Sequence, residues 1–199
     1  MHMSNFVIRG TNGMCHVNSV DYLLRKRIIT LEGEINNDSA SEIVRQLLIL
    51  GAESPADITI VINSEGGSTD AGLNIIDVIN MLKNRINCVC IGQAASMAAK
   101  IFSYGDRRLL LPHSHIFLHQ VSVAGSVLAN CDTLSKISRR LYEYNDFFVE
   151  LLVKNTGRTK EEVEQLLKAE TLMTAEEAVD FGIADGILTD LGSIMEVAV

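Results

Sequence analysis

The sequence predicts an α/β fold built from repeated βαβ units. Short runs that are apolar almost throughout, such as residues 58–62 and 88–91, alternate with longer segments whose apolar residues recur every three or four positions. The first pattern is typical of strands covered by helices on both faces, and the second of amphipathic helices. Because the two patterns alternate along the chain, a largely parallel sheet wrapped by helices is favoured.

The composition indicates one compact domain that binds neither nucleic acid nor membrane. The chain has 199 residues, of which 47% are hydrophobic and only two are proline, so a substantial core is expected. Its 17 basic and 25 acidic residues give a net charge of −8, and no basic stripe is available for nucleic acid. The longest uncharged run, residues 86–99, is too short and too polar for a membrane span.

The N-terminus and the cysteines predict a cytoplasmic protein. Residues 1–19 have little periodicity, so we expect a flexible N-terminal arm, with residues 1–2 as a cloning remnant, before a single domain over residues 20–199. No secretion signal is predicted, because no charged segment followed by an apolar one opens the sequence. The four cysteines lack paired metal-ligand spacing, and Cys88 and Cys90 alternate along a strand, as small buried side chains do.

A strand and a helix are expected to open the domain. Residues 28–31 are mostly apolar and β-branched and predict a strand. Ser39 and Glu42 have the spacing of a capping box, in which the serine accepts from the first turn and the glutamate reaches back. We therefore expect a helix from this box to about Leu50.

The next unit ends its strand on a pair of glycines. Residues 58–62 predict a buried strand, and Gly66 and Gly67 interrupt the chain before a helix over about residues 70–83. Glycines after a strand either make a tight turn or let the backbone approach a ligand closely. The absence of a Gly-Lys-Ser/Thr sequence after them argues against a phosphate loop.

A third strand leads into a serine. Residues 88–91 predict a buried strand, and the chain then turns at Ser96 into a short helix that ends near Phe102. Ser96 is a candidate nucleophile, because free backbone N–H groups at a helix start can stabilise negative charge on an attacked carbonyl. The alternative interpretation is an ordinary helix cap, which is the commoner role for a serine at this position.

Two more strands bring histidines. Residues 109–111 and 116–118 predict strands, and His119 follows the second as a candidate general base for Ser96. His113, His115 and His119 would share one face of a regular strand and could then bind zinc, although Pro112 disturbs the alternation.

Helices fill the rest of the chain. The longest is expected over residues 127–154, about 40 Å at ~1.5 Å per residue, which is long enough to reach another subunit. Two further capping boxes, Thr159 with Glu162 and Thr174 with Glu177, predict the starts of the last helices. The apolar seam of the long helix comprises Leu134, Ile137, Leu141, Tyr144, Phe148 and Leu151.

An acid that would orient His119 is not identified by spacing. Glu170, Asp180 and Asp185 are all candidates, and each is equally compatible with a solvated surface position.

Four short segments carry these chemical groups in a fixed order. They are residues 62–67 (INSEGG), 92–97 (GQAASM), 118–120 (LHQ) and 175–182 (AEEAVDFG). In order and separation they resemble the proteolytic subunit of the Clp protease (ClpP), over about residues 20–190. The resemblance implies the fold that Clp proteases share with crotonases, with a strand–helix handle protruding from the βαβ units.

The resemblance implies a serine endopeptidase that hydrolyses unfolded polypeptides. Ser96 would be the nucleophile, His119 the general base and Glu170 the third catalytic residue, with the backbone N–H groups of Gly67 and Met97 in the oxyanion hole. Neither a metal nor a bound cofactor is implied.

The resemblance also implies an assembly. Two stacked seven-membered rings would enclose the sites, and a ring-shaped AAA+ ATPase would deliver the polypeptide and consume the ATP. The long helix at residues 127–154 would then be the handle between the rings.

Several positions depart from the family pattern. Glu170 replaces an aspartate, so an extra methylene displaces the carboxylate, and Ala169 replaces the arginine that ties the rings together. The remaining departures are Glu65 and Val121 in place of prolines, Ala98 in place of glycine, and Thr59 and Val61 in place of tyrosines that dock the ATPase.

Two other hypotheses follow from these departures and from the fold. The chain would be a catalytically weak structural or regulatory ring subunit that works beside a second, standard subunit. Alternatively it would be a crotonase-like acyl-CoA enzyme, in which Gly67 serves a thioester enolate and no Ser–His pair is needed.

Overall fold

The computed structural model describes residues 5–10, 13–123 and 125–190, and these residues confirm the predicted α/β class. They form seven helices and nine strands. In chain order the elements are β1 (Asn5–Gly10), β2 (Gly13–Asn18), α1 (Ser19–Arg25), β3 (Ile28–Ile35), α2 (Asn37–Glu53), β4 (Ile58–Gly67), α3 (Thr69–Met81), β5 (Ile86–Ala95), α4 (Met97–Ser103), β6 (Arg107–Leu110), β7 (His115–Leu118), α5 (Cys131–Thr156), α6 (Lys160–Lys168), β8 (Thr171–Thr174), α7 (Ala175–Phe181) and β9 (Gly186–Ile187).

A seven-stranded, mostly parallel sheet is the centre of the molecule. Strands β3, β4, β5, β6 and β9 are neighbours in that order and run parallel. Strand β5 is long enough to pair with β6 along its first half and with β7 along its second half, and β8 adds to β7 in the antiparallel sense. The branch at β5 therefore places the ends of β5 and β7 side by side.

The core lies where the apolar runs predicted it. Ile58, Ile60 and Ile62 of β4 have no exposed surface, and Cys88 and Cys90 of β5 are equally buried, as expected. All residues of α4 are buried as well, so this short helix lies inside the molecule rather than on it. The turn that precedes α4 is consequently held by the core.

The capping-box predictions succeeded at two helices and failed at one. Thr159 and Thr174 each cap their helix reciprocally with the glutamate three positions later, which confirms both predictions. The predicted box at Ser39 is wrong, because Asn36 is the N-cap of α2 and Ser39 is its partner. The asparagine oxygen accepts from the Ser39 N–H, and the Ser39 hydroxyl in turn accepts from the Asn36 N–H, so the helix begins one turn earlier.

The N-terminal segment is more regular than the sequence indicated. Strands β1 and β2 pair in an antiparallel hairpin, followed at once by α1. Backbone pairing requires no apolar periodicity, which explains why the pattern was absent from the sequence. The mobility of this segment stays a prediction, and the proposed cloning remnant at residues 1–2 lies outside the described residues.

Helix α5 projects from the domain along its first half. It begins at Cys131, after Asn130 as N-cap, rather than near residue 127. The prediction of one continuous buried seam is wrong for this half, because Leu134 is 47% exposed. The buried residues of α5 are Phe148, Val149 and Leu152, all in its second half. Its 26 residues span about 39 Å, which agrees with a protruding handle.

Within the described ranges, no helix is both long and apolar enough to cross a membrane.

We predict that Thr59→Val stabilises the protein. Thr59 is fully buried in β4, and its hydroxyl has no hydrogen-bond partner among the described residues. Valine has nearly the same shape and carries no group that must be desolvated, so the free energy of unfolding should rise by about 1 kcal/mol. Urea unfolding followed by circular dichroism measures it.

Thr171→Val is the matched control, because the Thr171 hydroxyl donates to the Leu166 carbonyl at 2.8 Å. The free energy of unfolding of this variant should fall by about 1 kcal/mol. Equal losses in both variants would show that the Thr59 hydroxyl is satisfied.

Candidate active site

Ser96 and His119 meet because their strands are neighbours. Strands β5 and β7 run parallel with Ala95 opposite Phe117, so both strands end at the same edge of the sheet. The ladder continues one step further, as the Ser96 N–H donates to the Phe117 carbonyl at 2.8 Å. The carboxyl edge of a parallel sheet is where α/β proteins commonly place their sites.

The Ser96 hydroxyl faces His119 rather than its own helix. Ser96 Oγ and His119 Nε2 lie 2.7 Å apart, within hydrogen-bond distance. Although Ser96 occupies the N-cap position of α4, its side chain makes no capping hydrogen bond. The interpretation of Ser96 as an ordinary helix cap is therefore wrong, and the Ser–His contact favours hydrolysis over crotonase chemistry.

Ser96 also has an unusual backbone conformation, with φ 54° and ψ −118°. A non-glycine residue at positive φ stores local strain of about 1–3 kcal/mol and persists only where the surroundings enforce it. Here the β5–β7 ladder holds one side of the turn and the buried helix α4 holds the other. The strained turn directs the hydroxyl out of the helix and towards the imidazole.

The glycine pair at the end of β4 lies against this turn. Gly66 and Gly67 both have positive φ values, of 88° and 147°. A Cβ on Gly66 would lie 2.8 Å from the Met97 nitrogen, and one on Gly67 would lie 2.3 Å from the Ile35 carbonyl oxygen. The glycines thus serve both roles that the sequence suggested: both make the turn, and Gly66 also allows close approach to Ser96 and Met97.

The two residues predicted to supply the oxyanion donors, Gly67 and Met97, lie on elements next to Ser96. Gly67 ends β4, and β4 is the strand beside β5. Met97 is the first residue of α4, so its N–H precedes the first helical hydrogen bond. Their role as an oxyanion hole stays a prediction, and the structure places Gly67 in the same pocket as Ser96.

Glu170 acts on His119 through its charge and forms no hydrogen bond with it. Antiparallel pairing places Thr171 of β8 opposite Leu118 of β7, so Glu170 and His119 are the next pair along the two chains. Glu170 has φ 51° and is exposed, and its carboxylate has no hydrogen-bond partner in the described part of the chain. Its negative charge nevertheless raises the pKa of His119.

The other two candidate acids lie elsewhere. Asp185 forms an ion pair with Arg108, with a shortest distance of 2.6 Å, and also accepts from the Arg108 backbone N–H. Asp180 is exposed at the end of α7, in a pocket beside Arg158 and Phe181. Both are therefore structural or surface acids, and Glu170 is the acid next to His119.

The three histidines considered as zinc ligands do not share one strand face in this structure. His113 is exposed in a turn, ahead of the strand that carries His115. Among the described residues, no three histidine, cysteine or acidic side chains come close enough to hold a metal ion.

The net environment lowers the pKa of His119 below its usual value of 6.5. Partial burial is the largest cause, and the positive charge of Lys100 acts in the same direction. A hydrogen bond to the Gln120 backbone and the charge of Glu170 oppose them. The imidazole is consequently neutral at pH 7, which a general base requires.

Lys100 is the site residue that the sequence reading missed. Ser96, His119, Gly67 and Lys100 line one pocket of about 640 Å³, which also borders Phe117 and Val121. Lys100 lies four positions after Ser96 on α4 and is only 2% exposed. A lone charged residue inside the apolar run 97–102 is the sequence signal that could have identified it.

The geometry agrees with the family comparison. The sequence model of a protein family described as Clp protease matches residues 11–190 of this chain. The match includes both strand ends of the site, the glycine pair and Glu170.

We predict that the reaction of Ser96 with a fluorophosphonate has its acid limb below pH 6.5. His119 must be neutral to remove the serine proton, and its pKa is lowered, so reactivity should be lost only as pH falls through that lower value. Glu170→Gln removes a charge that raises the pKa and should move the limb to still lower pH. Labelling rates measured by intact-protein mass spectrometry give the profile.

Glu176→Gln is the control for the loss of one exposed carboxylate, because Glu176 lies on the surface of α7. A limb that moves equally in both variants would mean that Glu170 has no specific effect on His119.

Proposed function

The chain belongs to the Clp protease family, and we propose that it is a serine endopeptidase subunit that hydrolyses unfolded polypeptides. The 2.7 Å contact between Ser96 Oγ and His119 Nε2 is the observation that carries this proposal. Serine becomes nucleophilic when a base removes its proton, and the neutral imidazole lies within reach of that proton.

The proposed reaction proceeds in two halves. His119 takes the proton as Ser96 Oγ attacks the peptide carbonyl, and the backbone N–H groups of Gly67 and Met97 stabilise the oxyanion. The protonated imidazole then donates to the leaving amine, which leaves an acyl ester on Ser96. Water, activated by His119 in turn, hydrolyses the ester and regenerates the serine.

We also propose the family's assembly, with heptameric rings, two of them stacked, and a ring-shaped AAA+ ATPase that feeds unfolded chains in the cytoplasm. The projecting half of α5 supports a contact between subunits, because Leu134 is exposed there on a helix of 26 residues. ATP would be consumed by the partner, so this chain itself needs no cofactor in the proposal.

A second candidate function is that of a catalytically weak ring subunit working beside a standard one. The position of Glu170 favours it, since this carboxylate is exposed and does not hydrogen-bond to His119. An acid that holds the imidazole in one tautomer and orientation contributes orders of magnitude to serine hydrolases. Ala169, in place of the family's ring-tying arginine, points the same way.

We predict that a fluorophosphonate probe labels Ser96 of the purified oligomer. Ser96→Ala should abolish labelling and reduce peptide hydrolysis by at least about 10³-fold, because the nucleophile is gone. Ser103→Ala is the matched control, since the Ser103 hydroxyl is buried and bonded to Ala99 within the same helix. Peptide mapping identifies the labelled residue.

Labelling that occurs only after a standard Clp subunit is added would support the second candidate. Labelling at a residue other than Ser96 would contradict the proposal.

We predict that Glu170→Asp increases peptide hydrolysis if the length of the acid limits the site. Aspartate is the family's residue here, and its shorter side chain changes where the carboxylate meets His119. The value of kcat/KM for a fluorogenic peptide measures the gain. If Glu170→Ala leaves kcat/KM unchanged, Glu170 takes no part in the reaction.

A further inference from the structure

Lys100 is a buried cation without an acidic partner. It lies on α4, whose other residues are apolar except for Ser103, and only 2% of it is exposed. No carboxylate in the described part of the chain lies within ion-pair distance of its ammonium group. Buried lysines are nearly always paired, because desolvating a charge is costly.

The ring of Phe148 compensates this cost only in part. The Lys100 Nζ lies 4.4 Å from the centroid of that ring, which is itself fully buried on α5. A cation–π contact is weaker than a salt bridge with a desolvated carboxylate. Burial lowers the pKa of Lys100 to about 8, so the group is still mostly protonated at neutral pH.

The cation borders the space that a substrate must occupy. Lys100 lines the same pocket as Ser96 and His119, one helical turn beyond the serine. A side chain next to the attacked carbonyl therefore has access to the Lys100 end of the pocket. Phe117 and Val121 supply apolar walls along the way.

We propose that this pocket is the subsite for the residue whose carbonyl Ser96 attacks, and that Lys100 selects an acidic side chain there by pairing with its carboxylate. The inference rests on the proposed peptidase function and adds a substrate class to it. Glutamate and aspartate supply the missing counter-ion, whereas an apolar side chain would leave the buried charge unpaired.

The acids at the pocket do not reverse this preference. Glu34 of β3 and Glu65 of β4 also line it, but both are exposed to water. Solvent and salt screen exposed charges within about 8–10 Å, whereas a buried pair is screened much less. The deep cation therefore determines selection, and the exposed carboxylates reduce the rate of encounter.

An acidic substrate would also act on His119. The charge of Lys100 lowers the pKa of His119 and so opposes the imidazolium that forms during attack. A carboxylate paired with Lys100 cancels that charge at the moment when the imidazole takes its proton. Selection should consequently appear in kcat as well as in KM.

The test uses fluorogenic peptides that differ only in the residue before the cleaved bond: glutamate, glutamine or leucine. The intact oligomer should cleave the glutamate peptide with a kcat/KM about tenfold or more above that of the glutamine peptide. Lys100→Met, which keeps an unbranched side chain one atom shorter and removes the charge, should abolish this ratio and favour leucine. The midpoint temperature of thermal unfolding of this variant should be no lower than that of the wild type, because the substitution removes a buried charge.

Lys83→Met is the matched control, because Lys83 is exposed near the opposite end of β5. It should keep the wild-type order of peptides. In the wild type the glutamate preference should also decline as pH rises through about 8, because Lys100 loses its charge. Glu34, Glu65 and His119 are the other titratable groups that line the pocket. The lowered pKa of His119 keeps the imidazole neutral over this pH range.

Binding to a Ser96→Ala oligomer separates this inference from the proposed function. Acetylated peptide amides ending in glutamate or glutamine are titrated by fluorescence anisotropy, which requires no catalysis. Tighter binding of the glutamate peptide that disappears with Lys100→Met supports the subsite even if the wild type hydrolyses nothing. Hydrolysis of the leucine peptide with equal binding of the glutamate and glutamine peptides overturns the subsite and leaves the peptidase function intact. Equal binding without any hydrolysis overturns both.

Discussion

The parallel pairing of β5 with β7 is the constraint on which the site depends. It continues beyond Ala95 to the Ser96 N–H, which donates to Phe117, so the two strand ends are fixed in register at the point where they leave the sheet. A slip of one residue would turn His119 to the opposite face of its strand. The 2.7 Å contact between Ser96 and His119 is therefore a consequence of backbone pairing in the core and does not depend on side-chain flexibility.

The core also maintains the strain at Ser96. Its positive φ is enforced by the ladder on one side and by α4 on the other, and every residue of α4 is buried. The Met97 side chain lies so close to Gly72 of α3 that a Cβ there would come within 2.3 Å of it, so a third element holds the turn. Since Gly66 packs against the same turn, loss of packing anywhere around it would relax the serine and misalign the hydroxyl.

Local chemistry decided which parts of this structure could be predicted from the sequence. The apolar strands, the threonine capping boxes and the Ser96–His119 pair carry strong short-range or family signals, and the structure bears out the elements and brings the pair together. The box at Ser39 failed because Asn36 competes for the same N–H groups. The seam of α5 is buried only where the rest of the domain covers it, and helical periodicity alone carries no such information. Lys100 was missed because its role depends on burial beside a serine, which spacing does not reveal.

His119 experiences two opposite charges of unequal effect. Glu170 is exposed and acts through water, whereas Lys100 is buried and acts through a medium of low polarity, so the cation has the larger influence on the pKa. In the usual serine triad a buried acid stabilises the imidazolium, whereas here burial and then the charge of Lys100 disfavour it. If the subsite selects acidic side chains as proposed, an apolar substrate would be cleaved slowly. An acidic substrate would supply the negative charge that His119 otherwise lacks. Slow cleavage of apolar substrates and selection of acidic ones would then both depend on the buried ammonium group of Lys100.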